Sequence, residues 1–172
     1  MPELREVAVR DVTVGRDVVI YQPANVYGCE LGDEVFIGPF VEIQRHSRIG
    51  RGTRVQSHTF ICEYVTIGEA CFIGHGVMFA NDMFRDGKPD PNSENWGRIV
   101  IGDGVSIGSN ATILAVSICD GAVIGAGSVV TKSITAVSIC DGAVIGAGSV
   151  VTKSITEKGV YAGNPARLLR RL

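Results

Sequence analysis

With 172 residues, 45% of them hydrophobic, 22 glycines and a formal charge of −2, the chain suits one domain, residues 1–172, built on a narrow core. Its lysines and arginines are dispersed, which offers no basic face for nucleic acid and no polybasic membrane anchor. The opening MPELREVAVRD is too charged for a signal peptide, and apolar runs stop well short of the roughly 18 residues that span a bilayer, so a cytoplasmic location and a small-molecule partner are expected.

Residues 1–30 open irregularly, with Val14 and Ile20 in phase and VYGCE supplying a five-residue step to Leu31. From there every sixth residue is large and apolar: Leu31, Ile37, Ile43, Ile49, Val55, Ile61, Ile67, Ile73 and Phe79. The fourth place after each is small or β-branched (Val35, Val41, Ser47, Thr53, Thr59, Val65, Cys71, Val77), and the next place is often glycine. The third places, where an amphipathic helix needs apolar residues, hold Glu34, Phe40, His46, Gly52, His58, Tyr64, Ala70, Gly76 and Asp82. Helix is excluded, and short strands alternating with tight turns remain. Six residues cannot bury an apolar side chain alone, so the units must stack into a continuous all-β core, as in a solenoid. The pattern resembles the hexapeptide-repeat proteins, whose coils are triangular, three hexads to a turn, and wound as a left-handed parallel β-helix. The hand comes from that resemblance alone.

Residues 81–98, NDMFRDGKPDPNSENWGR, leave the pattern as a long loop with turn chemistry at Gly87, Pro89 and Pro91, and Trp96 within it is expected to be held against a neighbour. Hexads resume at Ile101, Ile107 and Ile113, take a five-residue step through ILAVS to Ile118, and run on through Ile124 and Val130. The block AVSICDGAVIGAGSVVTKSIT at 115–135 then recurs unchanged at 136–156. Its length is three hexads plus three residues. One extra coil is therefore expected, with Ile139, Ile145 and Val151 over Ile118, Ile124 and Val130 and the surplus near Ser133 to Ser138. Looping one copy out would expose apolar side chains at about 1.5–3 kcal/mol each. The closing EKGVYAGNPARLLRRL is expected to finish as a short C-terminal helix covering the last coil's sheet edge. Five cysteines without paired short spacings read as free buried thiols rather than a disulfide frame.

Three hexads per coil put residues eighteen apart above one another, about 4.8 Å apart along the axis. Arg45, Glu63 and Asn81 then form one column and His46, Tyr64 and Asp82 the next; Ser57 lies below His75, and His58 and His75 are expected as near neighbours. Histidine is the usual base for an amine or hydroxyl at neutral pH, which makes His75 and His58 candidates. Glu63 and Asp82 are the candidate carboxylates, and Asn81 can hold an acceptor by hydrogen bonds without adding charge.

The segments IQRHSRIG, VQSHTFICEYVTIG, FIGHGVMFAND, IGSNATIL, ICDGAVIGAGSVVTKSI and AGNPARLL resemble acetyl-CoA-dependent N-acetyltransferases of the hexapeptide-repeat family. The nearest likeness is to those acetylating the amino group of nucleotide-linked amino sugars for bacterial surface polysaccharides. That resemblance implies a homotrimer with acetyl-CoA in a groove between subunits. It places the cofactor along Ser109, Ala126, Gly127 and Ser128, with Lys132, Lys153 or Arg167 near its phosphates. Asn81 would lie in the acceptor site, with His75 as base and His58 and Glu63 close by, and the amine would attack the thioester directly. The segment MFRDGKPD departs from the tyrosine, proline and arginine that follow this asparagine in the family. His46, His58 and His75 lack the close pair, five apart, that hexapeptide carbonic anhydrases place on zinc, so no metal is expected. Two other readings stand beside this one: an O-acetyltransferase for a sugar or small hydroxyl acceptor, and a duplication variant that keeps the scaffold but has impaired CoA binding.

Overall fold

A computed structural model describes residues 9–84, 86–131, 138–139 and 142–172, with the backbone alone at 138–139. Lys132 and the expected surplus at 133–137 lie outside these residues.

Each hexad from Leu31 to Phe79 contributes a strand of two or three residues that ends on its large apolar side chain. The third residue beyond it takes a left-handed backbone, with φ of 60–63° at Phe40, His46, His58 and Tyr64 and 65–67° at Gly52 and Gly76. That conformation turns the chain sharply, at about 1–2 kcal/mol for a residue carrying a Cβ. Three such corners per coil generate three sheets. The first face has eight parallel strands, from Val9–Arg10 to Val150–Val151. The second has seven parallel strands, from Thr13–Val14 to Ser138–Ile139. The third has nine, from Val19–Ile20 through Val144–Ile145 to Gly159–Ala162 and Arg167–Arg171. Below, the first corner joins the first face to the second, the second corner joins the second to the third, and the third corner returns to the first.

Eighteen-residue stacking holds through the regular coils: Phe60 pairs with Glu42 and Met78, and Val55 with Ile37 and Ile73. All nine sixth-place apolar residues and all eight fourth-place residues are buried. The hydroxyls among them are satisfied, since Ser47, Thr53 and Thr59 donate to the carbonyls of Cys62, Gly68 and Gly74, each at 2.8 Å.

Departures from eighteen fall at the first corner. The long loop there makes Val65 pair with Ile99, and the ILAVS step makes Val100 pair with Ser117. In the repeated block Ser117 pairs with Ser138, Ile124 with Ile145 and Val130 with Val151, each 21 residues on. The second copy is thus stacked on the first strand for strand, with Ile145 and Val151 as buried as Ile124 and Val130.

The expected C-terminal helix is not formed. Gly159–Ala162 pairs parallel with Val144–Ile145, and Arg167–Arg171 returns antiparallel to it through Gly163, Asn164 and Pro165. A five-residue segment cannot offset the cost of nucleating a helix, whereas the exposed strand edge supplies hydrogen-bond partners at once. Leu168 packs over Gly159, where an added Cβ would come within 2.6 Å of its Cδ1. Among the described residues the one helical turn is a 3-10 turn, Ser93–Asn95, inside the long loop and capped by Asn92.

Candidate active site

The third corner is a ladder. Gly76 N–H donates to Ser57 O, Asn110 N–H to His75 O, Gly127 N–H to Ser109 O and Gly148 N–H to Ala126 O, which sets Ser57, His75, Ser109 and Ala126 in equivalent places on successive coils. His75, Ser109 and Ala126 therefore stand in one column, and Gly76, Asn110 and Gly127 in the next. The His75 side chain is exposed, its Nδ1 lies 2.8 Å from Ser57 Oγ, and its backbone N–H donates to Ser109 Oγ at 3.2 Å. Ser128, one place further in, is buried and donates to Gly146 O at 3.1 Å. His58 occupies this corner one coil below His75, and its ring stacks on Phe40 with centroids 4.9 Å apart.

The first corner gathers the other candidates. Arg45 Nε and Glu63 Oε1 form an ion pair at 3.3 Å, and Asn81 Nδ2 donates to Glu63 O at 2.7 Å. Asn81 is buried, and its carbonyl accepts the Gly97 N–H at 2.9 Å, closing the base of the loop. Asp82 holds the loop itself, one carboxylate oxygen accepting Phe84 N–H at 2.9 Å and the other Asp90 N–H at 2.8 Å. Trp96 Nε1 donates to Asp90 O at 2.9 Å, so the tryptophan is anchored within its own loop. His75 and Asn81 end up at opposite ends of the first face, with Met78–Phe79 between them. Six residues of extended chain bound that separation at about 20 Å.

Two grooves frame these corners. Lys153 and Arg167, both exposed, share one of about 300 Å³ with Ile155, Tyr161 and Leu168, assembled by the terminal hairpin. A second, of about 360 Å³, lies on the second face beside the first corner, lined by Gly28, Glu30, His46, Arg48, Tyr64 and Arg98 among others. None of the catalytic or cofactor candidates lines it. His46 and Tyr64 lie eighteen apart and stack 5.2 Å apart at 10°, but Arg98 reaches the Tyr64 ring, at 4.8 Å, only because the loop displaces it from the hexad count.

Three of the thiols are held neutral. Burial pushes Cys29 up to about 11 and Cys62 up to about 12. It also raises Cys71, whose Sγ donates to Gly102 O at 3.0 Å, so Cys71 is a core residue at the second corner and no nucleophile. No group of three or more His, Cys, Asp or Glu among the described residues is placed to hold a metal ion. Nor is any described helix long and apolar enough to cross a membrane.

Residues 98–132 and 132–153 match the hexapeptide repeat of succinyl-transferase. The chain carries hexapeptide repeats. Over 126 residues it is 39% identical to the bifunctional protein GlmU of Acinetobacter baylyi, covering 72% of this chain and 25% of that protein. It is 38% identical over 108 residues to GlmU of Idiomarina loihiensis, covering 62% and 21%. The chain thus spans about a quarter of the length of the curated relatives it matches. In fold it is similar to a variant of AntD, an N-acyltransferase from Bacillus cereus solved with dTDP and coenzyme A, at a TM-score of 0.63, 20% identity, 93% coverage of this chain and 84% of that one. A variant of perosamine N-acetyltransferase from Caulobacter crescentus, solved with CoA and GDP-perosamine, gives a TM-score of 0.59 at 20% identity, covering 88% and 55%.

Proposed function

We propose that the chain is an acyltransferase that moves the acetyl group of acetyl-CoA to the amine of a nucleotide-linked amino sugar, working as a homotrimer. The observation that carries this reading is the third-corner ladder: an exposed histidine, bonded to a serine, directly below the small turns of Ser109, Ala126 and Gly127. The likeness to GlmU and to acyltransferases solved with CoA supports it.

The chemistry follows from the geometry. With Nδ1–H donating to Ser57 Oγ, Nε2 of His75 keeps its lone pair and takes the proton of the acceptor amine as nitrogen attacks the thioester carbonyl. The C–N bond forms, backbone N–H groups steady the oxyanion, the C–S bond breaks, and the proton passes from His75 to the departing thiolate. No covalent enzyme intermediate is needed. Lys153 and Arg167 meet the phosphates of CoA in their shared groove. Glu63 and Asn81 hold the acceptor, and they come from a neighbouring subunit, because one chain leaves them across the first face from its own His75. A trimer closes that gap.

The repeated block supports a second reading, a scaffold with impaired CoA binding. The second copy separates Ala126 and Gly127 from the hairpin by one more coil, carrying Arg167 about 4.8 Å further from His75. Calorimetry with acetyl-CoA on this chain and on one lacking residues 136–156, at matched trimer concentration, separates the two. Equal affinities place the donor wholly on one side of the second copy and favour the enzyme. Binding by the shortened chain alone favours the impaired variant, and binding by neither overturns the acyltransferase reading. Mass analysis of products from amino and hydroxy sugars then distinguishes N- from O-acetylation.

A further inference from the structure

We infer that the groove on the second face seats a nucleoside diphosphate, with the base laid over Gly28 against His46 and the phosphates at Arg48 and Arg98. The inference deepens the reading above and rests on it for the nucleotide being the handle of the acceptor.

The left-handed places of the first corner stack coil upon coil, with φ of 60° at Gly28, 63° at His46 and 61° at Tyr64. Planar groups fill this column from His46 upward. The His46 and Tyr64 rings are 5.2 Å apart and tilted by only 10°, and the Arg98 guanidinium lies 4.8 Å beyond Tyr64. Below His46 the column has an empty rung. A Cβ on Gly28 would stand 2.7 Å from Arg45 Cβ, so this place carries no side chain and the lower face of His46 has no ring beneath it. A coil rises about 4.8 Å, within the 4.5–7 Å centroid range of aromatic stacking, so a flat heterocycle over Gly28 extends the column by one layer.

Charge supplies the second half of the argument. Among the described residues the Arg98 guanidinium meets the Tyr64 ring and no carboxylate, although it lines the groove. Arg48 lines it too, sharing Glu30 at 3.2 Å in a pair that is exposed and open to exchange. Guanidinium forks match phosphate oxygens in pairs, and a diphosphate can reach from one to the other. A volume of about 360 Å³ suits a small ligand, and the exposed Thr66 on the wall adds a hydroxyl. The groove is separate from the one that holds Lys153 and Arg167, so this nucleotide and CoA occupy different places.

The test is calorimetry of uridine diphosphate and guanosine diphosphate on the full chain, with uridine and pyrophosphate as part-ligands. Each diphosphate is expected to bind at least about tenfold more tightly than either part, to be weakened about tenfold or more by His46→Gly and by Arg98→Ala, and to be untouched by His75→Ala. Glycine suits the left-handed place, so His46→Gly keeps the corner and removes only the ring. Binding indifferent to both variants, or no binding of any nucleoside diphosphate, overturns the assignment. So does displacement of the diphosphate by excess CoA, which would make the groove the seat of the cofactor's own nucleotide. Acetyl transfer to a free amino sugar without nucleotide binding would sink the groove alone. Nucleotide binding without acetyl-CoA binding would sink the acyltransfer reading alone.

Discussion

The first and third corners are built from the same hexads yet treat them differently. At the third corner the count never slips, and turn stacks on turn from Ser57 through His75 and Ser109 to Ala126. At the first corner it slips repeatedly, and two of the slips add features: Gly28 with its empty rung, and the loop that Asn81 and Asp82 clamp and that brings Arg98 onto the Tyr64 ring. Strict repetition makes a straight rail on which a long flexible cofactor can lie. Interrupted repetition makes pockets. A solenoid obtains both from one rule by confining its errors to one edge.

The sharpest way to break this contrast is His75→Ala, expected to lower acetyl transfer about 10²- to 10⁴-fold while leaving the urea midpoint unchanged. A rail residue fails in chemistry alone. Asn81→Ala should act on stability too, losing about 1–3 kcal/mol in urea unfolding because the Glu63 carbonyl is left without its donor, and it should raise the acceptor KM. A lost stability with an unchanged acceptor KM would make Asn81 a clamp of the structure and no substrate contact. Ser57→Ala removes one hydrogen bond from His75 and should cost about 1 kcal/mol, a roughly fivefold fall in kcat with acetyl-CoA affinity preserved. The smallest effect belongs to the core between the corners. The thiols of Cys29 and Cys62 are raised to about 11 and about 12 in the folded chain, whereas an unfolded thiol titrates near roughly 8.5. The unfolded chain therefore releases these protons first. The contribution is complete below that range and declines as pH rises toward the folded values. Melting curves from neutral to strongly alkaline pH should show a slope that Cys29→Ala and Cys62→Ala reduce.

The regular coils were legible almost residue by residue. Apolar sixth places, small fourth places and eighteen-residue columns place Arg45 on Glu63, His46 on Tyr64 and Ser57 on His75 from the sequence alone. The same count made His58 and His75 neighbours, and the His58 ring stacks on Phe40 one coil lower, a contact open to reading because Phe40 and His58 are both third places eighteen apart. What escaped was set by partners distant in the count. Arg98 meets Tyr64 across the loop, Asp82 is taken up by backbone donors within that loop, and Trp96 finds its acceptor there too. RLLRR has no clear period of its own, so the open sheet edge decided that it became a strand.

The hairpin of residues 159–171 cannot count. It settles on the second copy by accepting the Gly146 N–H on Tyr161 O and by donating from Gly163 N–H to Ser149 Oγ. Gly125 and Ser128 offer the same groups in the first copy. The number of blocks then sets a length. One block more or fewer changes the reach from histidine to arginine by one step and alters no residue that the hairpin touches.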